Sequence, residues 1–183
     1  VPQNMSDAER SALEAYAAID RESIDGVLEE FGRLMADVWA PTNATGDQEG
    51  SHVEGDTVRT ATGHKEAYTA YREAGWGAVP FEEAYGGGGF PWLVGVVMQE
   101  LINSANMSLA MAPLLTQGAI DAILHHGSEE QREKYLLKMV SGEWTGSMNL
   151  TEPDAGSDVG ALRTKAVRQD DGTYRITGQK IFI

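Results

Sequence analysis

The sequence predicts a mainly α-helical protein that ends in a short stretch of β-strands. Apolar residues recur at intervals of three and four up to about residue 140, which is the spacing of amphipathic helices. After Ser157 apolar and polar residues alternate, the period of a β-strand, and Asp and Gly mark a turn between two such runs. We therefore predict a helical domain over residues 1–146 and the beginning of a β domain over residues 147–183.

Composition limits the classes of partner. The chain has 183 residues, enough to bury a core, and its 14 basic and 28 acidic residues give a net charge of −14. This charge repels nucleic acids and anionic membrane surfaces, so neither is an expected partner. The absence of cysteine excludes disulfides and Cys-ligated metals and suits a reducing cytoplasm, the expected location. No apolar run approaches the ~20 residues of a membrane span, and the N-terminus lacks a signal-peptide pattern.

The first 63 residues predict two helices and a connecting segment. Ser6–Glu9 has the spacing of a capping box, and a helix carrying Leu13, Tyr16 and Ala17 follows it. A second helix has a stronger apolar stripe and ends before Pro41; the stripe comprises Ile24, Val27, Leu28, Phe31, Leu34, Met35, Val38 and Trp39. Residues 42–63 are rich in Gly, Thr, Asp and Ser, which predicts a connection containing a short hairpin at Val53 and residues 57–60.

The sequence of residues 65–104 predicts two further helices, separated by a run of four glycines. A helix over residues 65–74 closes at Gly75. The four glycines at 86–89 suggest a phosphate cradle, but no Gly-Lys-Ser/Thr follows them, so a loop that delivers Pro91 to the next helix is preferred. That helix, residues 92–104, is apolar on more than one face and is predicted to be buried all round.

Five more elements are predicted before and after the domain boundary. A second buried segment over residues 109–126 ends at Gly127, and a capping box at residues 128–131 starts the next helix. Strands are predicted at residues 163–168 and 173–177, with another beginning at residues 180–183.

The most distinctive stretch is Met148–Asp158, at the boundary between the two parts. Residues 143–150 read as a strand that Pro153 stops. In the loop that follows, Thr151 and Ser157 supply hydroxyls, and Gly156 lets a ligand approach the backbone. A ligand-binding loop and an ordinary Pro-Asp turn both fit this pattern.

These residues resemble the acyl-CoA dehydrogenase signature, in which an apolar strand runs into Thr-Glu-Pro-x-Ala-Gly-Ser-Asp. Tyr85-Gly86-Gly87 upstream and the run Gly178–Ile183 downstream are similar to segments of the same family. Asn103–Met107 and Ser141–Leu150 look closest to the subgroup that includes 3-methylmercaptopropionyl-CoA dehydrogenase. The resemblance implies the family's N-terminal helical domain, followed by the first strands of its middle β-barrel domain.

The resemblance also implies chemistry. Members of the family are FAD-dependent and catalyse α,β-dehydrogenation of acyl-CoA thioesters: a glutamate removes the α-proton while the β-hydrogen leaves as hydride to flavin N5. Backbone atoms of Met148 and Leu150 and the Thr151 hydroxyl are expected to touch the isoalloxazine. Gly156 and Ser157 are expected at the FAD pyrophosphate, with Ser157 also near the CoA part of the substrate. Phe182 and Ile183 are expected to flank the flavin.

The sequence departs from the family pattern at two points. Phe182 stands where many members have Trp, and the chain stops at Ile183, so the catalytic glutamate is expected beyond residue 183. We therefore expect a fragment of a longer enzyme, inactive by itself and poor at binding FAD. The resemblance implies an acyl-CoA substrate, an electron-transfer flavoprotein as acceptor, and a homodimer or homotetramer for the longer protein.

The sequence also bears on other classes of protein and site. The adjacent pair His125 and His126 suits a helix C-terminus better than a metal site, so no metal is expected. No Gly-x-Ser-x-Gly elbow is present for a nucleophilic serine. Two alternatives stay open: a flavin oxidase on the same fold, and a non-catalytic helical interaction module.

Overall fold

A computed structural model describes Tyr16 and residues 18–183. The chain divides into two compact units, one ending at Gly146 and the other comprising Ser147–Ile183. The first is helical and the second carries a β-hairpin. The predicted first helix and its cap at Ser6–Glu9 lie outside the described residues, apart from Tyr16.

Helix α1, Arg21–Leu34, confirms the strongest helical pattern. It begins after Asp20, whose carboxylate accepts a hydrogen bond from the Ser23 amide at 2.8 Å. The helix continues as a π-helical turn, Met35–Trp39. The predicted apolar stripe faces the core, because Phe31, Met35 and Trp39 are each buried.

The connecting segment after α1 was only partly predicted. Pro41 does not follow the end of the helical region; it starts a second helix, α2, Pro41–Glu49. The sequence of α2 has weak helix propensity, but Thr42 is buried against the core, so tertiary contacts override propensity. The predicted hairpin does form: β1, His52–Glu54, pairs antiparallel with β2, Thr57–Arg59.

Helix α3, His64–Glu73, confirms the next prediction, with Gly75 in the left-handed region (φ 73°) just past its end. The glycine run before the next helix is a packed loop. The amides of Gly87, Gly88 and Gly89 donate to the carbonyls of Glu82, Ala78 and Phe81. Amides that are already paired cannot bind a phosphate, which agrees with the rejection of a phosphate cradle.

Helix α4, Trp92–His126, contains both predicted buried segments. They are separated at Asn106, where the backbone is extended (φ −158°, ψ 96°). The prediction that the first segment is buried all round is wrong, since Trp92, Leu93 and Val96 are 49%, 46% and 50% exposed. Only one face packs on the core, through Val94, Met98 and Ile102.

By length and composition, α4 is the one helix in the described part of the chain that meets the criterion for crossing a membrane. This corrects the expectation that no apolar run approaches that length. Core helices of water-soluble proteins pass the same test. Helix α4 packs against α1, α2 and the following helix, but only 22% of its most apolar window is buried in the structure. A single helix of this kind is weak evidence for a membrane.

Helix α5, Glu129–Val140, begins with the predicted capping box. The Ser128 amide donates to Gln131 Oε1 at 2.8 Å, and the Gln131 amide donates to Ser128 Oγ at 3.3 Å. The helix buries Leu136, Met139 and Val140 in a second apolar cluster with Phe81 and Ile120. The C-terminal residues of α4 and one face of α5 thereby form a core separate from the cluster around α1.

The unit Ser147–Ile183 contains one antiparallel hairpin, β3, Lys165–Arg168, with β4, Tyr174–Thr177. This confirms two predicted strands. The strands predicted at residues 143–150 and 180–183 are not formed in the structure. A strand requires a partner ladder, and Phe182 adopts a left-handed conformation (φ 57°) that interrupts extended backbone.

Candidate functional site

The signature loop is closed by a tight turn at Pro153-Asp154. Glu152 and Ala155 exchange both backbone hydrogen bonds, each 3.1 Å, and both residues are buried. The turn expected from Pro and Asp is therefore present. Gly156 and Ser157 follow it at the surface.

The Glu152 carboxylate is the centre of this unit. Its oxygens accept from the amides of Arg163 (2.7 Å) and Thr164 (3.0 Å) and from Lys180 Nζ (2.9 Å). Hydrogen bonding from Thr164, then from the Arg163 amide and Lys180, lowers the pKa of Glu152 to about 2. The group is consequently ionised at neutral pH, which suits a structural role and not a proton-transfer role.

The C-terminal segment runs alongside the start of the loop. The Ile181 amide donates to the Thr151 carbonyl at 3.0 Å, and Lys180 Nζ donates to the Leu150 carbonyl at 2.8 Å. These contacts bring Leu150 and Thr151 against the segment that carries Phe182 and Ile183. Residues about 30 positions apart in sequence thus come together.

Gly178 allows this approach. Its φ is +154°, and a Cβ there would lie 2.1 Å from Thr164 Oγ1 and 2.7 Å from Thr164 Cα. No real Cβ makes such contacts, so only glycine fits at the entry to the C-terminal segment.

Several predicted site residues present apolar surface. Met148 is 57%, Leu150 39%, Phe182 89% and Ile183 73% exposed. The Thr151 hydroxyl makes no hydrogen bond to any residue that the structure describes. Apolar side chains beside a free hydroxyl suit a flat, largely apolar ring that carries a few polar atoms, which is the chemistry of an isoalloxazine.

Gly156 and Ser157 have the features of an anion-binding loop. Within residues 18–183 their amides have no hydrogen-bond acceptor, and a Cβ at Gly156 would meet nothing within 4 Å. Residues 147–183 hold five basic and five acidic residues, whereas the rest of the chain carries the whole net charge of −14. An anionic group is therefore less strongly opposed here than on the helical unit.

Sequence reasoning missed the residues that shape the site. Lys180, Thr164 and Gly178 were noted only as parts of strands or of a similar segment. Their pairing with Glu152 and with one another spans 12 to 28 positions, and a single sequence carries no signal for such contacts. The histidine pair ends α4, where His125 Nε2 lies 3.2 Å from Asp121. Among the described residues no three His, Asp or Glu side chains converge as metal ligands.

Comparison of the helical unit and the signature loop with known proteins gives the family. Residues 27–143 match the acyl-CoA dehydrogenase N-terminal domain, and residues 147–183 match the acyl-CoA dehydrogenase middle domain. The chain belongs to the acyl-CoA dehydrogenase family.

Two curated relatives give the scale of the similarity. The chain is 46% identical over 172 residues to 3-methylmercaptopropionyl-CoA dehydrogenase of Ruegeria pomeroyi, covering 94% of this chain and 29% of the relative. It is 42% identical over 176 residues to a butyryl-CoA dehydrogenase of Syntrophomonas wolfei, covering 94% and 28%. The chain thus spans less than a third of the length of these relatives.

Solved structures agree on the fold. Butyryl-CoA dehydrogenase from Megasphaera elsdenii aligns with a TM-score of 0.73 at 29% identity, over 87% of this chain and 40% of that one. A chain from the structure of the electron transferring flavoprotein of Acidaminococcus fermentans aligns at 0.71 and 26%, over 89% and 40%. The FAD complex of PigA aligns at 0.70 and 23%, over 89% and 40%, which shows the fold alone. A flavin is the cofactor that this family implies.

Proposed function

We propose that this chain is the N-terminal part of an FAD-dependent acyl-CoA dehydrogenase, which introduces an α,β double bond into an acyl-CoA thioester. The observation that carries the proposal is the signature loop: buried Glu152 fixes its turn, and Gly156 and Ser157 leave two unpaired amides beside open space. The family assignment supplies the reaction class.

The chain's own residues would bind and orient the cofactor. Backbone atoms of Met148 and Leu150 and the Thr151 hydroxyl would contact the isoalloxazine, with Phe182 and Ile183 flanking it. The Thr151 hydroxyl, which is unpaired among the described residues, and the bonds that join residues 150–151 to residues 180–181 support this role. The amides of Gly156 and Ser157 would bind the pyrophosphate, with the Ser157 side chain also near the CoA part of the substrate. When bound, the flavin supplies a hydride acceptor for the β-hydrogen of the substrate.

No residue of this chain is proposed as the catalytic base. Glu152 is the carboxylate closest to the cofactor residues in sequence, but its oxygens are occupied and its pKa is lowered to about 2. A carboxylate that is held ionised by three donors is a poor proton acceptor at neutral pH. The family resemblance, and not elimination within this chain, leads us to propose a general base beyond residue 183.

The partners follow from the same proposal. The substrate is an acyl-CoA, and the 46% identical relative makes a short acyl group with a thioether, 3-methylmercaptopropionyl, the first candidate. We propose an electron-transfer flavoprotein as acceptor, supported by the neighbour from such a structure. We further propose that the longer protein is a homodimer or homotetramer in the cytoplasm and has no nucleic-acid or membrane partner.

The test uses the longer protein that contains this chain. It should be purified yellow, and anaerobic mixing with 3-methylmercaptopropionyl-CoA or butyryl-CoA should bleach the visible flavin band. Electron-transfer flavoprotein should restore the band rapidly and oxygen only slowly. Gly156→Val is the loss-of-site variant, because a β-branched side chain would occupy the open space at the loop.

A result that contradicts this proposal would support one of the two alternative functions. Rapid peroxide formation with acyl-CoA and no other acceptor would assign the protein to the flavin oxidases on this fold. A colourless protein that takes up no added FAD would reject the flavoenzyme proposal and leave a helical interaction module.

A further inference from the structure

Lys180 joins the C-terminal segment to the signature loop through two bonds. Its Nζ lies 2.9 Å from Glu152 Oε1 and 2.8 Å from the Leu150 carbonyl oxygen. The next residue, Ile181, adds the 3.0 Å amide bond to the Thr151 carbonyl. We call these three bonds the Lys180 clasp.

The ion pair in the clasp differs from the others in the described residues. The Lys180 and Glu152 side chains are only 20% and 7% exposed, whereas each of the other pairs has at least one side chain more than half exposed. Exposed pairs contribute little to structure, but removing one partner of a buried pair leaves an uncompensated charge. We therefore expect the Lys180–Glu152 ion pair to stay formed in the folded protein, because breaking it is costly.

The Lys180 clasp contains the hydrogen bonds that join residues 179–183 to the rest of the described chain. Within the described residues, Lys180 and Ile181 make the only hydrogen bonds of residues 179–183. Phe182 and Ile183 are largely exposed and make none. Among the described residues, loss of the Lys180 side chain would leave the Ile181 amide bond as the hydrogen bond between this segment and the loop.

We propose that Lys180 is a positioning residue for the flavin, acting through Glu152 and the Leu150 carbonyl. By fixing the segment, it presents Phe182 and Ile183 to the same ring that Leu150 and Thr151 contact. This inference rests on the proposed function. If the segment lies on the loop in only a fraction of the molecules, the apparent affinity for the flavin ring falls in proportion to that fraction.

The experiment uses the longer protein and two readouts that do not depend on turnover. Hydrogen exchange of the apoprotein measures opening of residues 178–183, and flavin fluorescence quenching measures FAD affinity. Lys180→Met should speed exchange of this segment and weaken FAD about tenfold, as expected if the clasped state falls to about one tenth. Lys180→Arg, which keeps the charge, should restore most of the affinity.

Matched controls separate positioning from general damage. Lys165→Met removes an exposed lysine of β3 that has no ion pair among the described residues, and should change neither readout. Gly172→Ala strains the turn between β3 and β4 (φ +84°), eight positions before Lys180, without adding a steric contact, and should leave the FAD affinity of the folded protein unchanged. If Lys180→Met does not fold, Lys180→Gln, which keeps a donor for Leu150, carries the same test.

A double-mutant cycle completes the test. If Lys180 and Glu152 act as one unit, Lys180→Met with Glu152→Gln should bind FAD about as weakly as either single variant. Additive losses, unchanged FAD affinity despite faster exchange, or an equal loss in Gly172→Ala would each overturn the inference. Failure of the unmutated protein to bind FAD would instead reject the proposed function and this inference with it, whatever exchange shows about the clasp.

Discussion

Asn106 explains why α4 is two helices joined at a break, and its replacement is the sharpest test of the helical unit. The residue is 1% exposed and sits where the helical backbone becomes extended. Its Oδ1 accepts from the Leu109 amide (3.1 Å) and the Ser108 hydroxyl (2.8 Å), which caps the second half of the helix. Its Nδ2 donates to Thr42 Oγ1 at 2.9 Å and so ties α4 to α2.

Asn106→Ala removes both functions at once. Loss of an N-cap costs about 1 kcal/mol, and loss of a buried hydrogen bond costs about 1–3 kcal/mol. We expect the free energy of unfolding to fall by about 2–4 kcal/mol. At roughly 2–4 °C per kcal/mol for a chain of this size, the melting temperature should drop by about 4–16 °C.

The assay is urea denaturation of the 183-residue chain, followed by far-UV circular dichroism and by tryptophan fluorescence, to which buried Trp39 contributes. Asn43→Ala is the matched control, because Asn43 is exposed on α2 and its side chain makes no hydrogen bond to a described residue. It should change stability by less than about 0.5 kcal/mol. A loss below about 1 kcal/mol for Asn106→Ala would show that the break is set by other contacts.

Three further predictions concern the unit that follows. Gly178→Ala should destabilise the β3–β4 hairpin by about 1–3 kcal/mol more than Gly172→Ala, because only the first substitution drives a Cβ into Thr164. Local hydrogen exchange measures the difference, and equal losses in the two variants would contradict the steric explanation. Ser157→Ala should lower the affinity for FAD roughly 10- to 150-fold with little change in folding stability. Titration of the apoprotein with FAD measures the affinity, and an unchanged value would remove Ser157 from the site. Hydrogen bonds lower the pKa of Glu152 from its ordinary value of 4.5 to about 2, so its contribution to folding stability is present above about pH 4.5 and is lost as pH falls toward 2. Carboxyl NMR should give the low midpoint, and a midpoint near 4.5 would refute the hydrogen-bond geometry.

The helices were predictable because their signals are local. The stripe of α1 and the capping box at Ser128 are contained within a few turns of sequence, and both are observed. The break in α4 was also visible as a gap between two apolar segments. Helix α2 was missed because its residues favour turns, and the burial of Thr42 that stabilises it depends on a residue 64 positions away.

The strands were harder to predict than the helices, because a strand depends on a partner segment that can be distant in sequence. Residues 143–150 and 180–183 have strand-like composition, but a strand exists only where another segment completes its ladder. The hairpin β3–β4 could be predicted because its partner lies just across a turn at Gly172. The signature loop itself was recognisable as a motif, whereas the contacts that give it shape, Lys180 to Glu152 and Gly178 to Thr164, needed the structure.

The loop's geometry is nonetheless set within a short stretch of chain. The donors to Glu152, the Ala155 turn and the Lys180 clasp all come from residues 147–183. The middle-domain match begins at residue 147 as well. These contacts therefore close among residues of a single unit. A substitution at Glu152, Thr164, Gly178 or Lys180 should disturb the loop, since each of these residues contacts at least one other in the same network.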